Sequence, residues 1–286
     1  YIATVTQLSR KIGIEGEELA GIYHGLDFLR DSNLNKTVKL GNIVAIIGGG
    51  NTAVDAARVA IRKGAGEVHI LYRRTQDEMP ADKREIQDAV EEGVILHTLV
   101  APVKFIGKDK VTQIECVKME VTGFDTSGRK KTKIIKNSEY MFNVDMVIPA
   151  VSQYSDFPFI RKDEVEITEW GTFVTNSDTQ MTSMPGVFAG GDVVRGSDVV
   201  ITAIADGKKA AKSMDKYLGG SGELNTGEPI EIPKAANDVE VVEHERFTMK
   251  YLNSEDRKNS FEEVAQGFHK LNAIAEAMRC LRCDAR

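Results

Sequence analysis

Hydrophobic and polar positions along this chain switch between two periods, and the switches outline an alternation of strands and helices. The uninterrupted apolar run Ile43-Val44-Ala45-Ile46-Ile47 predicts a strand buried on both faces. Three glycines, Gly48 to Gly50, end it, and an Ala-rich stretch with helical periodicity follows to about Lys63. Glu67 to Tyr72 predicts a second buried strand after the turn Gly64-Ala65-Gly66. Between Ala81 and Glu92, Ile86, Ala89 and Val90 share one face of an amphipathic helix. Shorter apolar runs stand at Val94 to Leu96 and Val103 to Ile106. Gln113 to Val121 predicts a hairpin with Lys133 to Ile135 across a turn at Asp125 to Gly128, and Met146 to Ala150 a further buried strand. Ahead of these, Tyr1 to Thr6 reads as strand, Ile14 to Glu18 as a turn and His24 to Asp31 as helix. Behind them, a short strand from Gly186 delivers Gly190-Gly191-Asp192, and Asp198 to Leu218 reads as a long helix. The chain from Ser221 is polar and irregular up to a helix over Phe261 to Met278.

An α/β fold follows, with a Rossmann-like unit over residues 41–150, flanking segments 1–40 and 151–220, and an extension, 221–286, that ends in Cys280-Leu281-Arg282-Cys283. Strand, glycine turn and helix in that order are the setting a dinucleotide fingerprint requires. Gly48 permits the tight turn, Gly50 lets backbone approach a pyrophosphate, and Ala53 fills the third small position, where helix packs on strand. Asn51 and Thr52 complete that turn, and the phosphates would rest on the free N–H groups of the helix N-terminus. Arg73 and Arg74 stand at the tip of the second strand, 25 residues after Gly48. Sites for NAD(H) carry an acidic residue there for the ribose 2′-hydroxyl, whereas arginine suits a 2′-phosphate. The arginines therefore point to NADP(H), with NAD(H) and a merely solvated pair as the alternatives.

Composition narrows this further. The chain has 286 residues, 42% hydrophobic, with a net charge of −6 and scattered basic residues, so nothing suggests a nucleic-acid surface. No apolar run approaches bilayer length and no signal peptide opens the sequence, from which a cytoplasmic protein is expected. Three cysteines are too few for a disulfide scaffold. The absence of an initiating methionine, with Tyr1 already in a strand pattern, suggests a stretch from a larger polypeptide.

Four motifs together carry a family resemblance: Ser9 to Glu17, Gly48 to Ala57, Leu71-Tyr72-Arg73-Arg74 with Glu78-Met79-Pro80-Ala81, and Gly186 to Asp192. Over roughly residues 1–220 the chain resembles the glutamate synthase small-subunit type of NAD(P)H/FAD oxidoreductase, among the two-dinucleotide-binding-domain flavoproteins. The flavin module of dihydropyrimidine dehydrogenase and the large subunit of electron-bifurcating ferredoxin:NADP oxidoreductase are related. The resemblance implies an FAD-binding domain, here incomplete, made of residues 1–40 and 151–220 and interrupted by the NAD(P)-binding domain. Gly191 and Asp192 would then hold the flavin's ribityl or pyrophosphate region. The helix start at Val199, Val200 and Ile201 would aim its positive dipole end at the flavin. Glu85 would approach the nicotinamide ribose, the alternative being a solvated helix glutamate. Cys280 and Cys283 resemble the opening of a 4Fe-4S motif, as two of an incomplete ligand set; zinc and free thiols are the alternatives. Relatives also carry an earlier Gly-x-Gly-x-x-Gly fingerprint for FAD that these residues lack, and a glycine near Ala3 to Val5 and Val151 to Gln153.

The implied activity is hydride passage between NADP(H) and FAD, then single electrons to the iron–sulfur centres of a multi-component complex. The partner would be of glutamate synthase, ferredoxin or hydrogenase type. Such chemistry needs nicotinamide and flavin held roughly 3–3.5 Å apart with water excluded, so no acid or base is sought. Disulfide reduction of the thioredoxin reductase kind would need a Cys-x-x-Cys beside the flavin; Cys116, alone in an alternating strand, reads as packing. A simple dehydrogenase would need a Tyr-Lys, His or zinc constellation that is not apparent. A non-catalytic nucleotide-binding subunit or sensor is the competing reading.

Overall fold

The structure, a computed structural model, describes residues 1–124, 128–161, 164–224 and 245–279. The chain forms two compact units, Tyr1–Leu224 and Asn225–Arg286, taken separately below. In chain order the first contains β1 (Leu8–Ser9), α1 (Gly25–Asn33), β2 (Ile43–Ile47), α2 (Asn51–Arg62), β3 (Glu67–Tyr72), α3 (Lys83–Glu91) and β4 (Ile95–Thr98). It continues with β5 (Val100–Gly107), β6 (Val111–Phe124), β7 (Lys130–Ile134), β8 (Tyr140–Asn143), β9 (Met146–Pro149), β10 (Gln153–Tyr154), α4 (Asp192–Arg195) and α5 (Val200–Tyr217).

A parallel sheet in the order β4-β3-β2-β9 forms the centre, with Val44 level with Val68 and Met146. One face, including Val44, Ile46, Val68, Ile70 and Ile148, packs on Phe28 of α1, Ala53, Val54 and Ala57 of α2, and Ile86 and Ala89 of α3. The other face, including Ala45, Ile47, Leu71 and Val147, packs on Phe105, Ile114 and Cys116 of an antiparallel layer built from β5, β6, β7 and β8. Coverage on both sides is why these strands read as continuous apolar runs. Burial pushes the Cys116 thiol up to about 12, in keeping with packing.

Helices α2 and α3 are locked by charge as well as packing. Arg58 and Arg62 both reach the fully buried Glu92 carboxylate at 2.7 Å. Asp82 caps α3, its carboxylate accepting from the Arg84 and Glu85 N–H groups at 2.8 and 3.3 Å.

Outside the parallel sheet, residues 1–9 and 151–224 run together. β1 pairs antiparallel with β10, Ser9 opposite Gln153, and Ile2 bridges Ala189. Val165, Phe173, Ala189 and Val193 make a small apolar cluster there.

Several expectations are corrected. Tyr1 to Thr6 is not a strand: only Ile2 pairs. The run before Gly190 holds only isolated bridges at Phe188 and Ala189. Val90 is 48% exposed, because the buried stripe of α3 passes instead through Asp88, which pairs with Arg84 at 3.0 Å. In the second unit the helix predicted over Phe261 to Met278 begins only at α7 (Lys270–Met278). Gly267, at φ 75°, interrupts it, and Tyr251 bridges Ala265 on either side of the short α6 (Ser254–Lys258). Residues 125–127 of the hairpin turn, and Cys280 and Cys283, lie outside the described residues. Among those described, no helix is long and apolar enough to cross a membrane.

Candidate functional site

A cavity of about 1160 Å³ opens at the C-terminal ends of β2, β3 and β9. This is where strand order reverses about β2, the crevice in which open α/β sheets bind ligands. One side, expected from the sequence to take the nucleotide, is Gly48 to Thr52, Arg73 and Arg74; the far side is Thr6, Gln153, and Arg195 to Val199.

The glycines divide the labour of the turn. Gly48 has φ 147°, and a side chain there would run into the Ala150 carbonyl. A Cβ on Gly49 would lie 2.6 Å from the Tyr72 ring, whereas one on Gly50 would meet nothing nearer than Pro80 at 4.0 Å. Gly50 therefore leaves a gap where a ligand's backbone can come close. It is also the N-cap of α2, and no side chain caps that helix, so its first N–H groups are left for a ligand. Asn51 is turned toward the next helix, accepting from the Asp82 N–H at 3.1 Å, and Thr52 Oγ1 accepts from Gln153 at 3.1 Å.

Arg73 is exposed at the rim, and Arg74, half-buried, hydrogen-bonds the Tyr72 side chain. The loop they sit on is braced: the Tyr72 hydroxyl donates to the Glu78 carbonyl at 2.7 Å, and the Glu78 carboxylate accepts from the Lys130 N–H of β7. The uncapped start of α2 and the exposed Arg73 guanidinium are donors that could hold the phosphates of a dinucleotide.

Glu85 does not line the cavity. It stands on the first turn of α3, where burial and then neighbouring Asp55 push its carboxyl pKa up. Gly191, Asp192 and Val200 are likewise behind or beside the lining, while Val199 is part of it. Asp192 Oδ2 accepts from the Thr6 hydroxyl at 3.3 Å, so it reaches the cavity through one side chain. Gly191 takes φ 74°, and its N–H donates to Asp206 at 3.0 Å. Val199, Val200 and Ile201 stay exposed at the start of α5, an apolar edge suited to a planar ring.

Two carboxylates that sequence reasoning passed over organise these loops. Asp206, 1% exposed, takes both guanidinium arms of Arg195 at 2.7 Å and the Gln180 amide at 3.3 Å. Arg195 holds its carboxyl below the usual carboxylate range. Its signal was an acidic residue four before Ala210, on the buried face of α5. Glu17 accepts from the Ile12 and Gly13 N–H groups, both at 2.8 Å, which shapes the Arg10 to Ile12 wall of the cavity. That gives the Ser9 to Glu17 motif a physical role.

The chain is 39% identical to the NADP(+)-dependent formate dehydrogenase subunit beta of Moorella thermoacetica, over 99% of this chain and 42% of that one. It is 33% identical to the NADPH-Fe(3+) oxidoreductase subunit beta of Geobacter sulfurreducens, over 99% of this chain and 48% of the relative. With the glutamate synthase [NADPH] small chain of Azospirillum brasilense it shares 38%, over 76% and 48%. The chain thus spans less than half the length of each. Among solved structures, FprA of Mycobacterium tuberculosis in complex with NADPH matches with a TM-score of 0.62 at 19% identity, over 76% of this chain and 63% of that one. The thioredoxin reductase of T. acidophilum matches at 0.55 and 24%, over 76% and 64%. These two likenesses concern the fold. The family model for pyridine nucleotide-disulphide oxidoreductases matches residues 2–207, and the chain belongs to that family.

Proposed function

We propose that this chain is the NADPH-oxidising, flavin-binding module of a multi-component oxidoreductase. The observation that carries the reading is one continuous cavity with Arg73 and the α2 N-terminus at one end and Val199 at the other. Names of relatives support it, since all three above specify NADP(+) or NADPH. The two matched over 99% of the chain include the extension, which favours a formate dehydrogenase-like or metal-reducing assembly over glutamate synthase. In this reading iron–sulfur subunits or domains receive the electrons, and Cys280 and Cys283 supply part of a 4Fe-4S site.

When bound, flavin supplies the conversion of a two-electron hydride into single electrons. The chain's own residues bind and orient. Gly48 and Gly50 let a pyrophosphate settle on the N–H groups of α2, and Arg73 pairs with a 2′-phosphate. Asp192, which reaches the cavity through Thr6, would help to hold the ribityl hydroxyls, with Gly191 giving the loop its turn. Val199, with Val200 beside it, would offer an apolar edge to the flavin ring, and the positive end of α5 would favour negative charge there.

Anaerobic stopped-flow mixing of the intact native assembly with NADPH, and separately with NADH, tests the reading. Rapid bleaching of the oxidised flavin band with NADPH is the expected result. Bleaching with NADH alone would overturn the cofactor assignment. An assembly with no flavin signal for either nucleotide would be a nucleotide-binding subunit instead.

A further inference from the structure

One side chain that the proposed chemistry leaves unused ties the glycine turn to the far side of the cavity. Gln153, in β10, donates from Nε2 to Thr52 Oγ1 at 3.1 Å, in the first turn of α2. Its Oε1 accepts from Thr6 Oγ1 at 3.2 Å and from Ser197 Oγ at 3.1 Å. Those hydroxyls are 2.9 Å apart, and the single Thr6 proton turns either to Gln153 or to Asp192, 3.3 Å away. A single amide thereby connects the nucleotide turn to the Asp192 to Val199 segment.

The backbone around it is slight. Between residues 1–9 with 151–224 and the parallel sheet the chain crosses twice, and β1 and β10, two residues each, are the strands of those crossings. The Arg10 N–H bond to Ser152 at 2.9 Å extends the pair by one rung. So short a ladder has little resistance to local opening. Bonds from Gln153 reach past it on both sides, to residues 101 positions away in Thr52 and 147 away in Thr6.

We propose that Gln153 is a positioning residue, a latch that fixes the nucleotide turn against the Asp192 to Val199 segment. Resting on the reading above, the latch sets the distance between a nicotinamide held on one side and a flavin held on the other. Hydride transfer is steeply sensitive to that distance, and a misplacement of about 1 Å costs on the order of 100-fold in rate.

Gln153→Met keeps length and bulk but removes the bonds. In the intact assembly its flavin reduction at saturating NADPH falls at least about tenfold, while the NADPH dissociation constant changes less than about threefold. Thr52→Val reproduces the loss, the double variant is no worse than either single one, and Thr52→Ser restores the wild-type rate. Independently of flavin, Gln153→Met speeds amide exchange at Arg10 and in β1 and β10. A rate within twofold of wild type overturns the latch. So does a parallel fall in rate, NADPH affinity and melting temperature, which marks a merely structural residue. If the wild-type assembly shows no flavin reduction, the function proposed above fails first. Amide exchange then decides alone, unchanged protection overturning the latch and lost protection supporting it.

Discussion

The sheet-centred region, about residues 10–150, and the outer region, residues 1–9 with 151–224, are held together by different physics. In the first, Val44, Ala45, Ile46 and Val147 are completely buried between a helical and an antiparallel layer. In the second, the apolar cluster is four buried residues, and Trp170 and Val200 are 67% and 76% exposed. Its loops are shaped instead by Asp206, Gln180, Thr6 and Gln153. A region built on burial keeps its form whether or not ligand is present. One built on a few hydrogen bonds around an exposed apolar edge gains much of its order from what it binds.

The comparison can be broken most severely at Glu92. Glu92→Ala removes the carboxylate that Arg58 and Arg62 share between α2 and α3, and the loss of global stability is about 3–5 kcal/mol, read as a lowered urea midpoint. Asp206→Ala acts differently. Arg195 is 41% exposed and retains solvent, so the cost is nearer 2–3 kcal/mol. Amide exchange is expected to show that cost confined to Phe188 to Arg195, with β2 and β3 unchanged. A uniform loss of protection would show that the two regions unfold as one.

Arg73→Ala sharpens the contrast from the ligand side. NADPH affinity is expected to fall about 10- to 100-fold with NADH affinity nearly unaltered, measured by titration against both nucleotides. Equal losses for both would remove the 2′-phosphate from Arg73.

Acid separates the regions most gently. His97 of β4 lies 3.0 Å from His69 and edge-on to Phe142 of β8, and burial, then His69, lowers its pKa below the ordinary 6.5. A folded pKa below the unfolded one favours the neutral ring in the native state. Its contribution is therefore full above 6.5 and is lost as pH falls from there through the folded value. Asp206 and Glu92, whose pKa values are also lowered, contribute above their ordinary 3.8 and 4.5 and lose that only at lower pH. Urea midpoints between pH 7 and 5 should thus soften only the sheet-centred region, and His97→Gln should flatten that slope.

Sequence reading succeeded where burial writes a pattern. Ile43 to Ile47 and Glu67 to Tyr72 were legible because both faces are covered, and the α2 N-terminus because glycine has few other uses in that setting. The α3 stripe was misread at Val90 because Asp88, paired with arginine, is buried as an apolar residue would be. Gln153 and Asp206 left little trace: their partners are set by tertiary approach, with Thr6 and Ser197 separated by 191 positions. A polar residue's spacing does not say which distant hydroxyl it will meet. Glu85 was placed by resemblance alone, and the structure sets it beside Asp55 rather than on the cavity.

Ser9 facing Gln153 has a consequence for how such proteins are assembled. The polypeptide leaves the outer region and returns to it at adjacent points, so the covalent path into and out of residues 10–152 passes through one place. A segment with neighbouring ends can be excised, exchanged or transplanted without stretching its host. Closing the gap between Ser9 and Gln153 with a short linker should yield two separable cassettes, one of which could accept a different nucleotide reader.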